Sequence, residues 1–312
     1  MEPLPPTLPG VLSASLGDDF DGLIAYVDVS DRPPALHAAG FKDRRTQVPS
    51  DPQALFKIAS ISKLYVAAAA AQLAAEGALD LGRPLATYLP QAAQGLANAD
   101  RITATQLLTH RSGLYNFTDA SNYHWFDPPQ DLEGHLSCVR GRPALFEPGA
   151  AYRYSNTNYL LVGAILDSVL SEPHQAYIER TLLRPQGLHA THGPLGPVDP
   201  DRLVSAYHPA HAGDLKAVRY TAPGGSLVAT AQDVGIFTRA LREGRILSTR
   251  AQRIYASHYV FDHTGLLPGY HSIVRHHAAL DAVIVLLANS SNAPGWGAIE
   301  AAETRVLRWA RR

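Results

Sequence analysis

The stretch that decides the fold reads Ser60-Ile61-Ser62-Lys63 and continues as an apolar, alanine-rich segment to Glu76. Residues three apart lie side by side on a helix, so this spacing predicts that the Ser60 hydroxyl and the Lys63 amine face the same way. An adjacent amine can activate a serine nucleophile, and a helix N-terminus favours the negative charge that develops there. Taken alone, Ser-x-x-Lys is also compatible with an N-cap serine followed by a surface lysine.

Two further motifs follow in order, Tyr154-Ser155-Asn156 and His263-Thr264-Gly265. Ser-x-x-Lys with two such partners is the motif set of serine β-lactamases and penicillin-binding proteins. The Tyr-x-Asn motif resembles class C β-lactamases, and the histidine form of the third motif resembles the D-alanyl-D-alanine carboxypeptidase branch of that family. The resemblance covers residues from about Phe56 to Asn292 and implies a serine hydrolase.

The implied fold class is α/β (α+β), of the β-lactamase/transpeptidase type. It has an antiparallel sheet flanked by helices, with an inserted helical lobe. We expect a single domain over residues 1–312. Its α/β lobe comes from about 1–80 and 220–312, its mainly helical lobe from about 81–219, and the site lies between them.

Local patterns predict where the main elements lie. Strands are expected at Gly22–Val29, Ala35–Gly40, Tyr270–Val274 and Ala282–Ala288, and helices up to Gly77 and at Thr157–Leu170, Ala231–Arg242 and Trp296–Arg311. The run from Ala282 is apolar without alternation, which is typical of a strand buried on both faces. Glycine at position 77 supplies a helix C-cap.

The resemblance implies that Ser60 attacks the carbonyl carbon of an amide or ester. The tetrahedral oxyanion then needs two preorganised donors, which the resemblance places at the backbone N–H groups of Ser60 and Leu266. Tyr154 shares the proton transfers with Lys63. We expect Lys63 to lower the pKa of Tyr154 from its usual value of about 10. Which of the two is the resting base stays open at this point.

The remaining motif residues are predicted to hold the substrate and the catalytic groups. Asn156 is suited to holding Lys63 and the acyl-side amide of the substrate, and equally to capping a helix. We expect His263 to hydrogen bond to Tyr154 and to titrate near pH 6.5. Thr264 donates to a substrate carboxylate, and Gly265 lets the substrate backbone approach the strand.

Departures from the family leave the substrate open. Carboxypeptidase-like members carry a hydroxyl residue where this chain has Leu266, and the segment from Ile246 to Asp262 is short, so the sheet lacks an element or is more open beside the site. A cleft lined by Leu266, Leu267 and Tyr270 suits a hydrophobic ester, although the same residues are also compatible with core packing.

The leading hypothesis is therefore a D-alanyl-D-alanine carboxypeptidase or a β-lactamase acting through a Ser60 acyl-enzyme. An esterase for short-chain esters and a β-lactam sensor without turnover are the alternatives. A structural protein with a relic site is disfavoured because all three motifs are intact.

Composition excludes several other classes. The net charge of -1 over 312 residues offers no electrostatic reason for nucleic-acid binding, and the one cysteine, Cys138, cannot form an internal disulfide and is expected to be buried. We find no signal peptide and no apolar run long enough to span a membrane. The expected partner is a small-molecule or peptide substrate; oligomeric state and localisation are not predicted.

Fourteen histidines raise the question of a metal site. His208 and His211 sit in a proline-containing loop, and neighbouring His276 and His277 point to opposite faces of a strand. No His-Glu-x-x-His motif occurs. We predict neither a metal nor a cofactor.

Overall fold

A computed structural model describes residues 4–194, 196 and 198–312. The helices are α1 Leu8–Leu16, α2 Ser62–Glu76, α3 Leu85–Tyr88, α4 Ala104–Leu108, α5 Leu132–Leu136, α6 Asn156–Leu170, α7 His174–Tyr177, α8 Ala231–Arg242, α9 Thr249–His258 and α10 Trp296–Ala310. The strands are β1 Gly22–Val29, β2 Ala35–Asp43, β3 Val48–Pro49, β4 Phe56–Lys57, β5 Thr191–His192, β6 Val228–Ala229, β7 His263–Leu267, β8 Tyr270–His277 and β9 Ala282–Asn289. Single 3-10 turns, including Ala59–Ile61 and Phe117–Asp119, connect several of them.

A six-stranded antiparallel sheet in the order β3-β2-β1-β9-β8-β7 forms the centre of the molecule. The sheet combines strands from both ends of the chain. Strand β1 pairs with β9 from Gly22↔Asn289 to Val29↔Ala282. Strands β4, β6 and β5 form a second, three-stranded sheet. The predicted mixed fold with an antiparallel sheet is therefore confirmed.

Helices cover both faces of the main sheet. Every residue of β9 is buried, as its unbroken apolar sequence predicts. Side chains of α1 and α10, such as Val11 and Val306, pack on one face with Ile284 of β9. Side chains of α2 and α8 join a larger cluster on the other face.

Helix α2 is the helix that presents the nucleophile. Its alanines let neighbouring elements pack closely around it, and Tyr65 stacks on Phe237 of α8 with ring centroids 3.8 Å apart. The helix ends at Gly77, whose φ of +80° is the left-handed C-cap conformation that glycine adopts without strain, as predicted. The nucleophile turn therefore stands on a helix held from several sides.

The sequence analysis missed two helices. Helix α1 is only nine residues long and contains Pro9 and Gly10 in its first turn, and the Thr7 side chain caps it by accepting from Gly10 N. Helix α9 lies inside the segment Ile246 to Asp262, where we predicted only a shortened connection; Ser248 caps it. Both helices have short apolar stripes that find partners only after the chain folds, which is why the pattern did not reveal them.

The chain between residues 81 and 219 holds mostly short helices joined by loops, with α6 the longest of them. Cys138 is buried there, as expected. Over the described ranges, no helix is both long enough and apolar enough to cross a bilayer.

Candidate active site

Ser60 lies on the 3-10 turn Ala59–Ile61, directly ahead of α2. Ala59 has a φ of +50°, a left-handed conformation that residues with a Cβ rarely adopt. Such strained backbone clusters at functional sites, where surrounding packing holds it. Here the turn leaves the Ser60 side chain partly exposed beside a pocket.

Lys63 is fully buried, and its Nζ is held by three oxygens. It donates to Ser60 Oγ at 3.1 Å, to Asn156 Oδ1 at 2.9 Å and to the Gly224 carbonyl at 2.7 Å. Burial without a carboxylate partner lowers the pKa of Lys63 to about 7. In the neutral amine, the amide and carbonyl oxygens still take two N–H bonds, so the lone pair is directed at Ser60.

Tyr154 lies on the other side of the nucleophile and donates its hydroxyl to Ser60 Oγ at 2.9 Å. Burial raises its pKa well above the usual value, so the expectation that Lys63 lowers it was wrong. The reason is that burial also favours the neutral form of Lys63, which then provides no lasting positive charge beside the phenol. Tyr154 is therefore a proton donor at rest, and Lys63 is the group able to accept.

Asn156 is the first residue of α6, and the N-cap is Ser155, which corrects the capping role predicted for Asn156. Its Oδ1 holds Lys63, as proposed from the sequence. Its Nδ2 donates to Thr118 Oγ1 at 3.2 Å, and its backbone N–H donates to Asn116 Oδ1 at 2.9 Å. Asn156 thus joins the lysine to a polar cluster at the pocket wall.

His263 does not bond to Tyr154 as predicted. Its Nδ1 lies 2.5 Å from the Thr264 carbonyl, which fixes the proton there, and its Nε2 accepts from the Tyr259 hydroxyl at 2.9 Å. Burial and the charge of Lys63 lower the pKa of His263 to about 4, which corrects the expected titration near pH 6.5. The ring is neutral at physiological pH, with its centroid 6.4 Å from that of Tyr154.

His110 is a site residue that the sequence analysis did not single out, although it lies within the stretch from Phe56 to Asn292 that the family resemblance covers. Its ring centroid is 4.5 Å from that of Tyr154. Its Nδ1 accepts from Ser155 N at 3.3 Å and from Asn158 Nδ2 at 3.1 Å. Burial lowers the pKa of His110 to about 3, so it packs against Tyr154 as a neutral ring.

The third motif lies on β7, at the edge of the main sheet next to the nucleophile turn. A Cβ on Gly265 would lie 2.5 Å from the Ile58 carbonyl and 2.9 Å from Ala59 Cβ. Glycine is therefore required for the strand to approach the turn that carries Ser60; approach of a substrate backbone stays a prediction. Thr264 is partly exposed on the same strand, and its predicted bond to a substrate carboxylate likewise stays a prediction.

A pocket lies beside Ser60 and is here called the aromatic pocket; its aromatic walls were not predicted from the sequence. Its lining includes Ser60, Asn156, Thr118, Phe117, Tyr123, Trp125, His135, Tyr220, Leu266 and Leu267. Leu266 is 45% exposed at its rim, whereas Tyr270 is fully buried, so the predicted cleft lining holds for the two leucines and not for the tyrosine. The rings come from the stretch 117–135 and from Tyr220, both far in sequence from Ser60, which explains why no local pattern revealed the pocket.

No cluster of potential metal ligands occurs among the described residues. The imidazoles named in the sequence analysis have other partners. His276 Nε2 lies 2.9 Å from Asp281 Oδ1, and His277 Nε2 lies 2.6 Å from Glu303 Oε1. His208 and His211 pack against Phe126.

Comparison with protein families gives one clear match: a family model described as Beta-lactamase matches residues 16–260. The resemblance stated from the motifs is therefore confirmed.

The curated proteins that are similar to this chain in sequence include the following two. "Putative penicillin-binding protein PbpX" of Bacillus subtilis (strain 168) is 24% identical over 280 residues, 81% of this chain and 66% of that protein. Esterase EstB of Burkholderia gladioli is 28% identical over 187 residues, 55% of this chain and 46% of that protein. The chain thus spans less than two thirds of the length of either relative.

Among solved structures, the D-amino acid amidase from Ochrobactrum anthropi SV3 complexed with L-phenylalanine superimposes with a TM-score of 0.83. The match covers 96% of this chain and 97% of the amidase at 20% identity. At this identity the likeness concerns the fold alone.

Proposed function

The chain belongs to the Beta-lactamase family, whose fold is that of serine hydrolases, and from this premise we propose that Ser60 forms an acyl-enzyme with an amide or ester substrate. The observation that carries the proposal is the position of Ser60 Oγ between Lys63 Nζ at 3.1 Å and the Tyr154 hydroxyl at 2.9 Å. A nucleophile with a base on one side and an acid on the other has what acyl transfer requires.

Acylation begins when neutral Lys63 takes the proton of Ser60 as Oγ attacks the carbonyl carbon. The backbone N–H groups of Ser60 and Leu266 are the proposed donors to the oxyanion. Tyr154 then gives its proton to the leaving amine or alkoxide as the bond to the carbonyl carbon breaks. The site is left with an ammonium on Lys63 and a phenolate on Tyr154, which stabilise each other.

Deacylation reverses these proton transfers. The Tyr154 phenolate takes a proton from a water molecule that attacks the ester carbonyl, and its high pKa makes it a strong base for this step. Ser60 Oγ leaves and regains its proton from the Lys63 ammonium. Water is consumed, the acid is released, and both residues return to their starting states.

His263 is proposed to act through position and not through charge. Its neutral ring accepts a hydrogen bond from the Tyr259 hydroxyl and stacks on the Tyr259 ring. The His263 ring also lies near Tyr154, with the two centroids 6.4 Å apart. Since the pKa of His263 is lowered to about 4, its charge does not change between pH 6 and 9.

The aromatic pocket favours an ester or amide with a compact apolar acyl group. Its walls are formed by Phe117, Tyr123, Trp125 and Tyr220, and its rim by the exposed Leu266. The cavity has a volume of about 50 Å³. Since one water needs roughly 10–15 Å³ of such volume, the enclosed space has room for a few waters or a small apolar group.

The second candidate is the carboxypeptidase or β-lactamase activity predicted from the motifs. Support for it comes from Thr264, which lies on the strand beside the nucleophile, and from the penicillin-binding protein relative. A sensor that binds β-lactams without turnover is a variant of this second candidate. Family membership alone does not choose among lactam, peptide and ester.

Intact-mass spectrometry tests the nucleophile and the substrate class together. The protein is exposed to a fluorophosphonate, to benzylpenicillin and to p-nitrophenyl butyrate, and the adducts are followed over time. We expect fluorophosphonate labelling and butyrate turnover to be lost in Ser60→Ala and kept in Ser13→Ala, which changes an exposed serine of α1.

Full hydrolysis of the butyrate ester by Ser60→Ala would contradict the proposal. A penicillin adduct that depends on Ser60 and decays quickly would favour the β-lactamase, and one that persists would favour the carboxypeptidase or the sensor. Absence of any penicillin adduct, with ester turnover intact, would leave the ester or amide substrate in place.

A further inference from the structure

Tyr154, the proposed acid, lies in a part of the chain without regular secondary structure. Residues 151–155 form neither helix nor strand, and helix α6 begins only at Asn156. Tyr152, two positions before the acid, is 63% exposed. This segment lacks the repeated backbone hydrogen bonds of a helix or strand, so the position of the Tyr154 hydroxyl depends on individual contacts.

His110 provides contacts on both sides of Tyr154. Its carbonyl accepts from the Arg153 N–H at 2.9 Å, and its Nδ1 accepts from the Ser155 N–H at 3.3 Å. Its ring packs against the Tyr154 ring, with the centroids 4.5 Å apart. One residue thus contacts the backbone before the acid, the backbone after it and its ring.

The same ring nitrogen also connects His110 to the first turn of helix α6. Asn158 Nδ2 donates to His110 Nδ1 at 3.1 Å, and Ser112 Oγ donates to Asn158 Oδ1 at 2.6 Å. Asn158 is fully buried and Ser112 is 1% exposed. Buried polar networks in which the members are paired become rigid, so the imidazole is held in one orientation.

The tautomer of His110 follows from these bonds. Both partners of Nδ1 are N–H donors, so Nδ1 carries the lone pair and the ring proton is on Nε2. Burial lowers the pKa of His110 to about 3, so the ring is neutral and Nδ1 is able to accept near neutral pH.

His110 occupies its position at two local costs. Its φ is +54°, in the left-handed region that residues with a Cβ rarely adopt. Its buried Nε2–H has no acceptor among the described residues, which costs about 1–3 kcal/mol. An apolar ring would pack against Tyr154 without an unpaired N–H, so packing alone does not explain a histidine here. What the histidine adds is the Nδ1 acceptor for the Ser155 N–H.

We propose that His110 is a positioning residue, whose Nδ1 holds the backbone at Ser155 and so keeps the Tyr154 hydroxyl within reach of the leaving group. A basic alkoxide or amine needs the Tyr154 proton, whereas a stable anion such as p-nitrophenolate leaves without one. The inference rests on the proposed function and deepens it, because it assigns the placement of the acid to a residue outside the three motifs.

The test compares ethyl butyrate with p-nitrophenyl butyrate, which share the acyl group and differ in the leaving group. For both esters kcat/KM covers the steps up to acylation, so the role of Tyr154 in deacylation does not enter. Tyr154 gives its proton to the ethoxide oxygen as the C–O bond breaks, and ethanol leaves. The readout is kcat/KM for the ethyl ester divided by that for the p-nitrophenyl ester, because partial unfolding lowers both values together.

His110→Asn and His110→Gly form a matched pair. Both new residues tolerate a left-handed φ and both remove the ring, but Asn has an oxygen acceptor at the position of Nδ1. We expect the ratio to fall at least about tenfold in His110→Gly, because misplacement by about 1 Å can cost about 10²-fold, and to stay within about threefold in His110→Asn. In a Tyr154→Phe background, which has no proton to give, adding His110→Gly should change the ratio less than about twofold.

A ratio that is unchanged in His110→Gly, or that falls equally in His110→Asn, would overturn the inference. A further tenfold fall when His110→Gly is added to Tyr154→Phe would also overturn it, because His110 would then act through another group. One measurement needs no variant protein for its readout: ¹⁵N NMR of the histidine rings at neutral pH should show His110 as the Nε2–H tautomer. An Nδ1–H tautomer could not accept from Ser155 and would overturn the inference as well.

Failure of the proposed function gives different results. In that case Ser60→Ala would still hydrolyse both esters, or Tyr154→Phe by itself would leave the ratio unchanged. The inference about His110 fails when those two variants behave as proposed and the Asn and Gly variants do not differ.

Discussion

The lowered pKa of Lys63 predicts a specific pH dependence for the reaction of Ser60. Only the neutral amine can take the serine proton, so the rate follows the fraction of neutral Lys63 and rises with pH. With the pKa at about 7, that fraction is about 9% at pH 6 and about 91% at pH 8. We therefore expect the rate to increase about tenfold over this interval and to level off above it.

No other group in the catalytic cluster changes its charge in this interval. Burial lowers the pKa of His263 to about 4 and that of His110 to about 3, and it raises that of Tyr154. The two imidazoles are thus neutral, and the phenol is protonated, from pH 6 to 8. A single ionisation in the pH profile between pH 6 and 8 would therefore be assigned to Lys63.

The assay is the second-order rate of fluorophosphonate labelling of Ser60, measured by intact mass at constant ionic strength from pH 5 to 9. A fluorophosphonate has no ionisation of its own in this range, so the profile reports the protein.

Lys57→Met is the matched control. Lys57 is also buried, with its pKa lowered to about 7, but its Nζ donates to the carbonyls of Leu215, Lys216 and Val218, away from the nucleophile. We expect the variant to keep the midpoint. A flat profile between pH 6 and 8, or a midpoint that moves in Lys57→Met, would refute the assignment of the base to Lys63.

Three further substitutions test other contacts of the site and core. In Gly224→Ala the new Cβ would lie 3.0 Å from Lys63 Nζ, so we expect displacement of the amine and at least a tenfold loss of labelling rate, with the far-UV circular dichroism unchanged. Tyr154→Phe removes the donor to Ser60 Oγ, and its kcat for ester hydrolysis should fall by about 10²- to 10⁴-fold; a loss below threefold would contradict its role as acid. Tyr65→Phe removes a buried hydroxyl that has no partner among the described residues, so urea unfolding should show stability unchanged or raised by about 1 kcal/mol, and a clear destabilisation would contradict this.

The sheet and the longer helices could be predicted from the sequence because their patterns are local. Strand Gly22–Val29 and helix Ala231–Arg242 have the predicted bounds, and the buried run from Ala282 forms a central strand. The helix Leu8–Leu16 was missed because its stability depends on packing against α10, which no window of the sequence contains.

For the site, the sequence predicted which residues come together but not their pKa values. The order and spacing of the motifs brought Ser60, Lys63, Tyr154 and Asn156 to attention, and these residues are connected by hydrogen bonds around Ser60 Oγ and Lys63 Nζ. The pKa expectations failed because they took Lys63 to stabilise a phenolate on Tyr154 and gave His263 its ordinary pKa, without the effect of burial. Complete burial of that amine reverses the balance and leaves the tyrosine protonated.

What the sequence by itself determined is the family, the fold class and the choice of chemistry, because these depend on residue types at fixed spacings along one helix and in one order along the chain. What only the tertiary structure decided is the lowered pKa of Lys63, which partner His263 has and which side chains line the pocket beside Ser60. Those properties depend on burial and on contacts between segments far apart in sequence, as in the packing of Phe117 on His135 beside Ser60. Desolvation and ring orientation arise only when the chain closes around the site.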